Sequence, residues 1–234
     1  MYKTLLFDLD GTLLSMDMQE FVERYLESVS LRFAHLLKHG DFVSGLLQST
    51  QAMLVNKDGD KTNEEVFMED FLPRIGLSRE ELIAMFTDYY TNDFPKLQYY
   101  TRAEPLVKGI LELAVAQKRE VVIATNPVFP EIAIRQRLQW AGVNHLPFRF
   151  VTTYENMHFC KPHLEYYAEI LKRLNRLPGD CLMIGNDARE DLAATGVGIH
   201  TYLLKNHLIN DTAETYQADH EGYLEDLYRL ICSL

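Results

Sequence analysis

The 234 residues are 47% hydrophobic and 24% charged, enough apolar material for one packed domain of moderate size or a domain with a large insertion. A formal net charge of -11 argues against nucleic acid or an anionic membrane as the main partner, while a bound cation would still admit a phosphorylated substrate. Three widely spaced cysteines, Cys160, Cys181 and Cys232, form no Cys-x-x-Cys pair and read as reduced thiols of a cytoplasmic protein, not as a disulfide frame or zinc site.

The amino terminus runs straight into an apolar strand, so it is not read as a signal peptide, and no apolar stretch approaches the length that spans a bilayer. That strand, Lys3 to Asp8, is followed by Leu9-Asp10-Gly11-Thr12. In an open parallel α/β sheet, ligands bind just beyond the carboxyl ends of the strands, so Asp8 and Asp10 are placed where chemistry happens. Two neighbouring carboxylates share a proton or bind a metal, and an aspartate also serves as a covalent nucleophile. Gly11 permits a sharp turn directly after them.

From Met16 to about Pro95 the periodicity is helical, with Phe21, Val22, Tyr25, Leu26, Val29 and Phe33 at helical spacing. Glu64 to Ile75 is a shorter helix after a polar break at Asn56–Lys61, and Ser78 with Glu81 marks the start of another. This stretch reads as a bundle of about four helices. Its linkers lie near Leu14–Asp17 and Pro95–Arg102, so residues 16–100 form a helical insert within a core made of 1–15 and 101–234.

Beyond Tyr100, strands and helices alternate. A helix over Pro105–Gln117 precedes a strand over Glu120–Thr125, and Pro130 opens a helix to Trp140. A strand at Phe148–Thr153, a helix at His163–Leu174, a strand at Cys181–Gly185 and a short helix at Arg189–Thr195 follow. A strand at Ile199–Leu203 and a closing helix at Gly222–Cys232 complete the pattern. The fold class is α/β, a Rossmann-like parallel sheet covered by helices on both faces, with an inserted α-helical cap.

Three further blocks sit at strand ends or helix starts. In Thr125-Asn126-Pro127 a hydroxyl and backbone N–H groups are placed to hold an anion. Cys160-Lys161-Pro162 offers a fixed ammonium. In Gly185-Asn186-Asp187-Ala188-Arg189-Glu190-Asp191, two carboxylates four residues apart face one side.

In this order the four blocks resemble the motifs of the haloacid dehalogenase (HAD) superfamily, in its phosphatase branch with a helical C1-type cap. The resemblance implies that Asp8 attacks phosphorus, while Asp10 protonates the leaving oxygen and later activates water. It implies that Thr12 supports the turn and the general acid, that Thr125 and Asn126 hold phosphoryl oxygens, and that Lys161 offsets charge on Asp8 and the transferring group. Magnesium would be held by the Asp8 and Asp187 carboxylates and the Asp10 backbone carbonyl, with Asp191 orienting Lys161 or a metal-bound water. Asn186 departs from the usual Gly-Asp wording of the fourth motif. Family members that cleave carbon–halogen bonds lack an aspartate at the second position, which Asp10 fills here.

The implied activity is Mg-dependent hydrolysis of a phosphate monoester of a small metabolite through an aspartyl-phosphate. The alternatives are a phosphomutase or phosphonate hydrolase on the same scaffold, or a non-catalytic phospho-ligand-binding protein. The expected partner is a small phosphorylated metabolite, with neither nucleic acid nor membrane, and a monomer or homodimer is equally compatible. His145, His200, His207 and His220 show no ligand spacing, His158 reads as a polar loop residue, and the Tyr89-Tyr90 and Tyr99-Tyr100 pairs read as packing between insert and core.

Overall fold

The computed structural model describes residues 2–210 and 215–234. Six strands form one parallel sheet: β1 (Thr4–Phe7), β4 (Glu120–Ile123), β5 (Phe150–Val151), β6 (Cys181–Gly185), β7 (His200–Leu204) and β8 (His220–Gly222). Their order is β5-β4-β1-β6-β7-β8. The chain therefore builds outward from β1 on one side, then crosses to the other at β6. The sheet's switch point lies between β1 and β6, where such sheets bind ligands.

All four residues of β1 are buried, and three of them, Leu5, Leu6 and Phe7, are apolar, as suits a strand covered on both faces. Alternate side chains serve opposite layers, as the two-residue strand repeat requires. Leu5, Phe7, Val121, Ile123, Leu182 and Ile184 join the layer that includes α5 (Pro105–Ala116), α6 (Glu131–Trp140) and α8 (Leu224–Ser233). Leu6, Val122 and Met183 join the layer under α7 (Leu164–Leu174).

The insert begins and ends in a two-stranded antiparallel ribbon, β2 (Leu14–Met16) against β3 (Thr101–Ala103). Between these strands run α1 (Met18–Arg32), α2 (His39–Val55), α3 (Asn63–Ile75) and α4 (Arg79–Asn92), then a 3-10 turn over Phe94–Tyr100. Asp17 caps α1, and capping boxes start α3 at Thr62/Glu65 and α4 at Ser78/Glu81. The insert has its own aromatic core: Phe33 stacks on Phe42 at 4.6 Å and Phe67 lies 5.0 Å from Phe71. Tyr89 and Tyr90 are buried in it, whereas Tyr99 is exposed.

Several local expectations are revised. The strand expected over Phe148–Thr153 pairs only at Phe150–Val151, and beyond it the Asn156 side chain accepts from Thr153 N and donates to Val151 O along the sheet's outer edge. Pro130 is the cap before α6, with ψ of 156°, and not its first helical residue. No α-helix forms over Arg189–Thr195: Asp187 Oδ1 accepts from both Arg189 N and Glu190 N, and this Asx turn leads into a 3-10 segment at Leu192–Val197. The final helix begins at Leu224, since Gly222 is used to pair with Leu204.

Candidate active site

Asp8 follows β1 directly, and its backbone N–H still donates to Ile184 O at 2.9 Å, so it remains on the sheet's ladder. Lys161 Nζ donates to Asp8 Oδ1 at 2.9 Å and to Asp191 Oδ1 at 2.6 Å. Its side chain is fully buried, so this is a desolvated ion triad in which each partner depends on the others. Burial works against the lysine charge, but the Asp191 and Asp8 carboxylates outweigh it and hold the pKa well above the ordinary lysine value.

Asp191 also accepts from Asp187 N at 2.9 Å through Oδ2, which ties the fourth block to the third. A side chain at Gly185 would collide with the Asp191 carboxylate, so the absence of a Cβ there admits this approach. Gly11 has φ +82, and a Cβ there would collide with Asn186. Thr12 Oγ1 donates to Asn186 Oδ1 at 2.8 Å, and Asn186 Nδ2 donates to His207 O at 2.8 Å. The first turn is therefore pinned to the loop after β6, with Thr12 holding it through Asn186.

Thr125 lies at the end of β4, and its backbone carbonyl accepts from Tyr166 Oη at 2.9 Å and Thr152 Oγ1 at 2.7 Å. Asn126 joins two loops: its Oδ1 accepts from Lys161 N at 3.2 Å and its Nδ2 donates to Glu190 Oε1 at 2.9 Å. Tyr167 Oη donates to Glu190 O at 2.7 Å, so adjacent tyrosines of α7 fix two strand-end loops. Asn63 at the start of α3 donates to Pro127 O at 3.3 Å and Phe159 O at 3.4 Å, docking the insert beside the same loops.

Sequence reasoning did not single out Arg137. This residue is buried on α6, donates through Nη1 to Asp10 Oδ2 and sits 4.4 Å from the Phe129 ring centre. Asp10 Oδ1 and Arg137 Nη2 are buried without a hydrogen-bond partner among the described residues. A signal was present: Arg137 falls on the apolar stripe of α6 with Ala133, Ile134 and Leu138, where a lone cation is out of pattern. Glu190 was likewise passed over, lying between Asp187 and Asp191.

The site carries an excess of acid. Among the described residues, Asp8, Asp10, Asp187, Glu190 and Asp191 have Lys161 and Arg137 as their cationic partners. Burial pushes Asp8 up, with Asp10 adding to it and Lys161 opposing. Burial also raises Asp187, Asp191 to about 6 and Glu190 to about 8. Among the described residues, no three His, Cys, Asp or Glu side chains converge closely enough to form a metal cluster of their own. The set implied by the resemblance asks for less, two carboxylates and one backbone carbonyl. The acid surplus and the all-oxygen donors around Asp8 and Asp187 suit a hard divalent cation.

The family model for haloacid dehalogenase-like hydrolases matches residues 2–197, and the chain belongs to that family of hydrolases. No curated protein sequence matches the chain. Among solved structures, it is similar to a HAD phosphatase from Thermococcus onnurineus (20% identity, TM-score 0.59, covering 98% of this chain and 97% of that one). It is equally similar to L-2-haloacid dehalogenase from Xanthobacter autotrophicus (16% identity, TM-score 0.59, all of both chains). YfnB from Bacillus subtilis, described as bound to magnesium, is 20% identical with a TM-score of 0.57 and 98% of each chain covered. At these identities the structural likeness speaks for the fold, and it spans phosphatases and dehalogenases alike. No helix among the described residues is long and apolar enough to cross a membrane.

Proposed function

We propose that this hydrolase is a Mg²⁺-dependent phosphatase that cleaves the phosphate monoester of a small metabolite. The observation that carries this reading is Asp10, a second carboxylate two residues beyond Asp8. A dehalogenase needs one nucleophilic carboxylate at this strand end, whereas ester cleavage needs a second group to manage a proton.

In the proposed sequence a carboxylate oxygen of Asp8 forms a bond to phosphorus as the ester P–O bond breaks. Asp10 gives its proton to the departing oxygen. Water then attacks the phosphorus of the aspartyl-phosphate, Asp10 takes a proton from that water, and the acyl P–O bond breaks to free phosphate and regenerate Asp8. Lys161 favours the ionised form of Asp8 and orients it, and its charge opposes the build-up of negative charge during transfer. Asp191 holds Lys161 in place. Thr125 and Asn126 are assigned to the phosphoryl oxygens. Asp8, Asp187 and the Asp10 carbonyl would hold Mg²⁺, which when bound neutralises phosphate charge. The four-helix insert serves as the cap that covers the centre and excludes water.

The test is Asp8→Asn. Hydrolysis of p-nitrophenyl phosphate should disappear while the far-UV spectrum stays that of the folded parent. Near-normal turnover in this variant would remove Asp8 from the nucleophile role and the phosphatase reading with it.

A further inference from the structure

Between the insert and the core lies a cavity of about 180 Å³. Val22, Leu46, Phe67 and Phe86 wall it from the helices, and Val128 and Phe129 wall it from the loop that follows Asn126. None of its lining residues carries a charge. Its polar groups are largely spent: Tyr25 and Tyr90 share a hydroxyl–hydroxyl hydrogen bond at 2.9 Å, and Thr50 Oγ1 donates to Leu46 O at 2.9 Å. Burial keeps both tyrosines neutral, pushing Tyr25 up to about 12 and Tyr90 higher.

The cavity is linked to Asp10 through two side chains. Phe129 is both a cavity wall and the ring against which Arg137 packs, and Arg137 grips Asp10. Tyr25, on the opposite wall, lies 5.2 Å from Phe129 ring to ring. The chamber thus lies two side chains, Phe129 and Arg137, from Asp10, and its own lining offers no cation to meet a carboxylate or second phosphate and few free donors for sugar hydroxyls. A dry apolar cavity of about 150 Å³ is enough to take one benzene ring.

We infer that this cavity receives the leaving group, and that the substrates are phosphate monoesters of uncharged, apolar alcohols or phenols of about one ring or six carbons. The inference rests on the phosphatase reading and narrows it. Apolar burial predicts a gradient, because each methylene sequestered from water is worth on the order of fourfold in binding.

The experiment is a series from methyl to hexyl phosphate, with phenyl phosphate, phosphoglycolate and glucose 6-phosphate alongside, read as kcat/KM with the Mg²⁺-supplied enzyme. The expected result is a rise of about fourfold per methylene until the chamber is full, with phenyl phosphate near the top and the two polar esters near methyl phosphate. Leu46→Phe, which fills the chamber, should flatten the gradient. Leu47→Phe at the half-exposed rim gives a second reading if the first variant does not fold. A flat series, or preference for phosphoglycolate or glucose 6-phosphate, overturns the inference while Asp8-dependent turnover leaves the phosphatase reading standing. No turnover of any ester, methyl phosphate included, overturns both.

Discussion

Arg137 Nη1 and Asp10 Oδ2 form an ion pair across 127 residues of sequence, with the arginine side chain 1% exposed. The pair turns the Asp10 carboxylate toward α6, while its neighbour Asp8 is turned toward Lys161 on the other side. Two carboxylates two residues apart are thus separated by having different cationic partners. If Asp10 handles the proton, Arg137 sets where that proton is delivered.

Arg137→Met should lower kcat on p-nitrophenyl phosphate by roughly 10²-fold, in the range that one general acid–base group contributes. Arg137→Lys should recover part of that loss. The double variant with Asp10→Asn should be no slower than Asp10→Asn alone, since both changes act through one carboxylate. Additive losses in this cycle would separate Arg137 from Asp10.

Lys161 is the keystone of the buried triad. Lys161→Met leaves the Asp8 and Asp191 carboxylates facing each other without a cation, and removal of one partner from a buried pair costs about 3–5 kcal/mol. Urea unfolding should show a loss of about that size, with the melting temperature falling roughly 6–20 °C for a chain of this length. A variant as stable as the parent would mean that the triad is not formed in solution.

The acid surplus at the strand ends should make the protein respond to a divalent cation even without substrate. A cation that binds only the folded state stabilises by about 2.7 kcal/mol at 100 times its dissociation constant. Mg²⁺ should raise the melting temperature in calorimetry, EDTA should reverse the rise and stop turnover, and Asp187→Asn should abolish the rise. An unchanged melting temperature at saturating Mg²⁺ would argue that these carboxylates are satisfied by Lys161 and Arg137 alone.

The cysteines should divide by burial. Cys160 and Cys181 are buried, and desolvation raises both thiols, Cys181 to about 11 and Cys160 further. Cys232 is exposed. Ellman's reagent at pH 8 should titrate one thiol rapidly in the folded protein and all three in denaturant. Rapid labelling of Cys160, followed by peptide mapping, would show that the Asn63 contact between insert and core opens readily.

Most of the framework was legible because its signals are local. The apolar run before Asp8, the alternation after Tyr100 and the Ser78/Glu81 cap each announce an element from residues within a few positions. What escaped depends on partners distant in sequence. The ribbon at Leu14–Met16 and Thr101–Ala103 is made of two three-residue pieces, too short for periodicity to register. The Phe150 strand is an edge strand of two residues, and the bonds that Asn156 makes along its outer side are not announced by any local pattern. Among site residues, Lys161 and Asp191 stand out by their order in the chain. Arg137 was hidden because a cation in a helix is ordinarily solvated, and only its place on the buried stripe marks it. The roles of Tyr166 and Tyr167 follow from which loops end above α7, information no stretch of sequence carries alone.

The β2–β3 ribbon has a consequence for how such a molecule is assembled. Leu14 pairs with Ala103 and Met16 with Thr101, so the points where the chain departs for the helices and returns from them are about 5 Å apart. Excising residues 17–100 and joining the cut ends by a two-residue Asn-Gly reverse turn would convert the ribbon into an ordinary β-hairpin. The Asp8 strand would still connect to the remainder without rethreading. The helices are therefore modular in connectivity, although not in packing, since Phe21 and Phe94 would leave behind a bare apolar surface around Trp140.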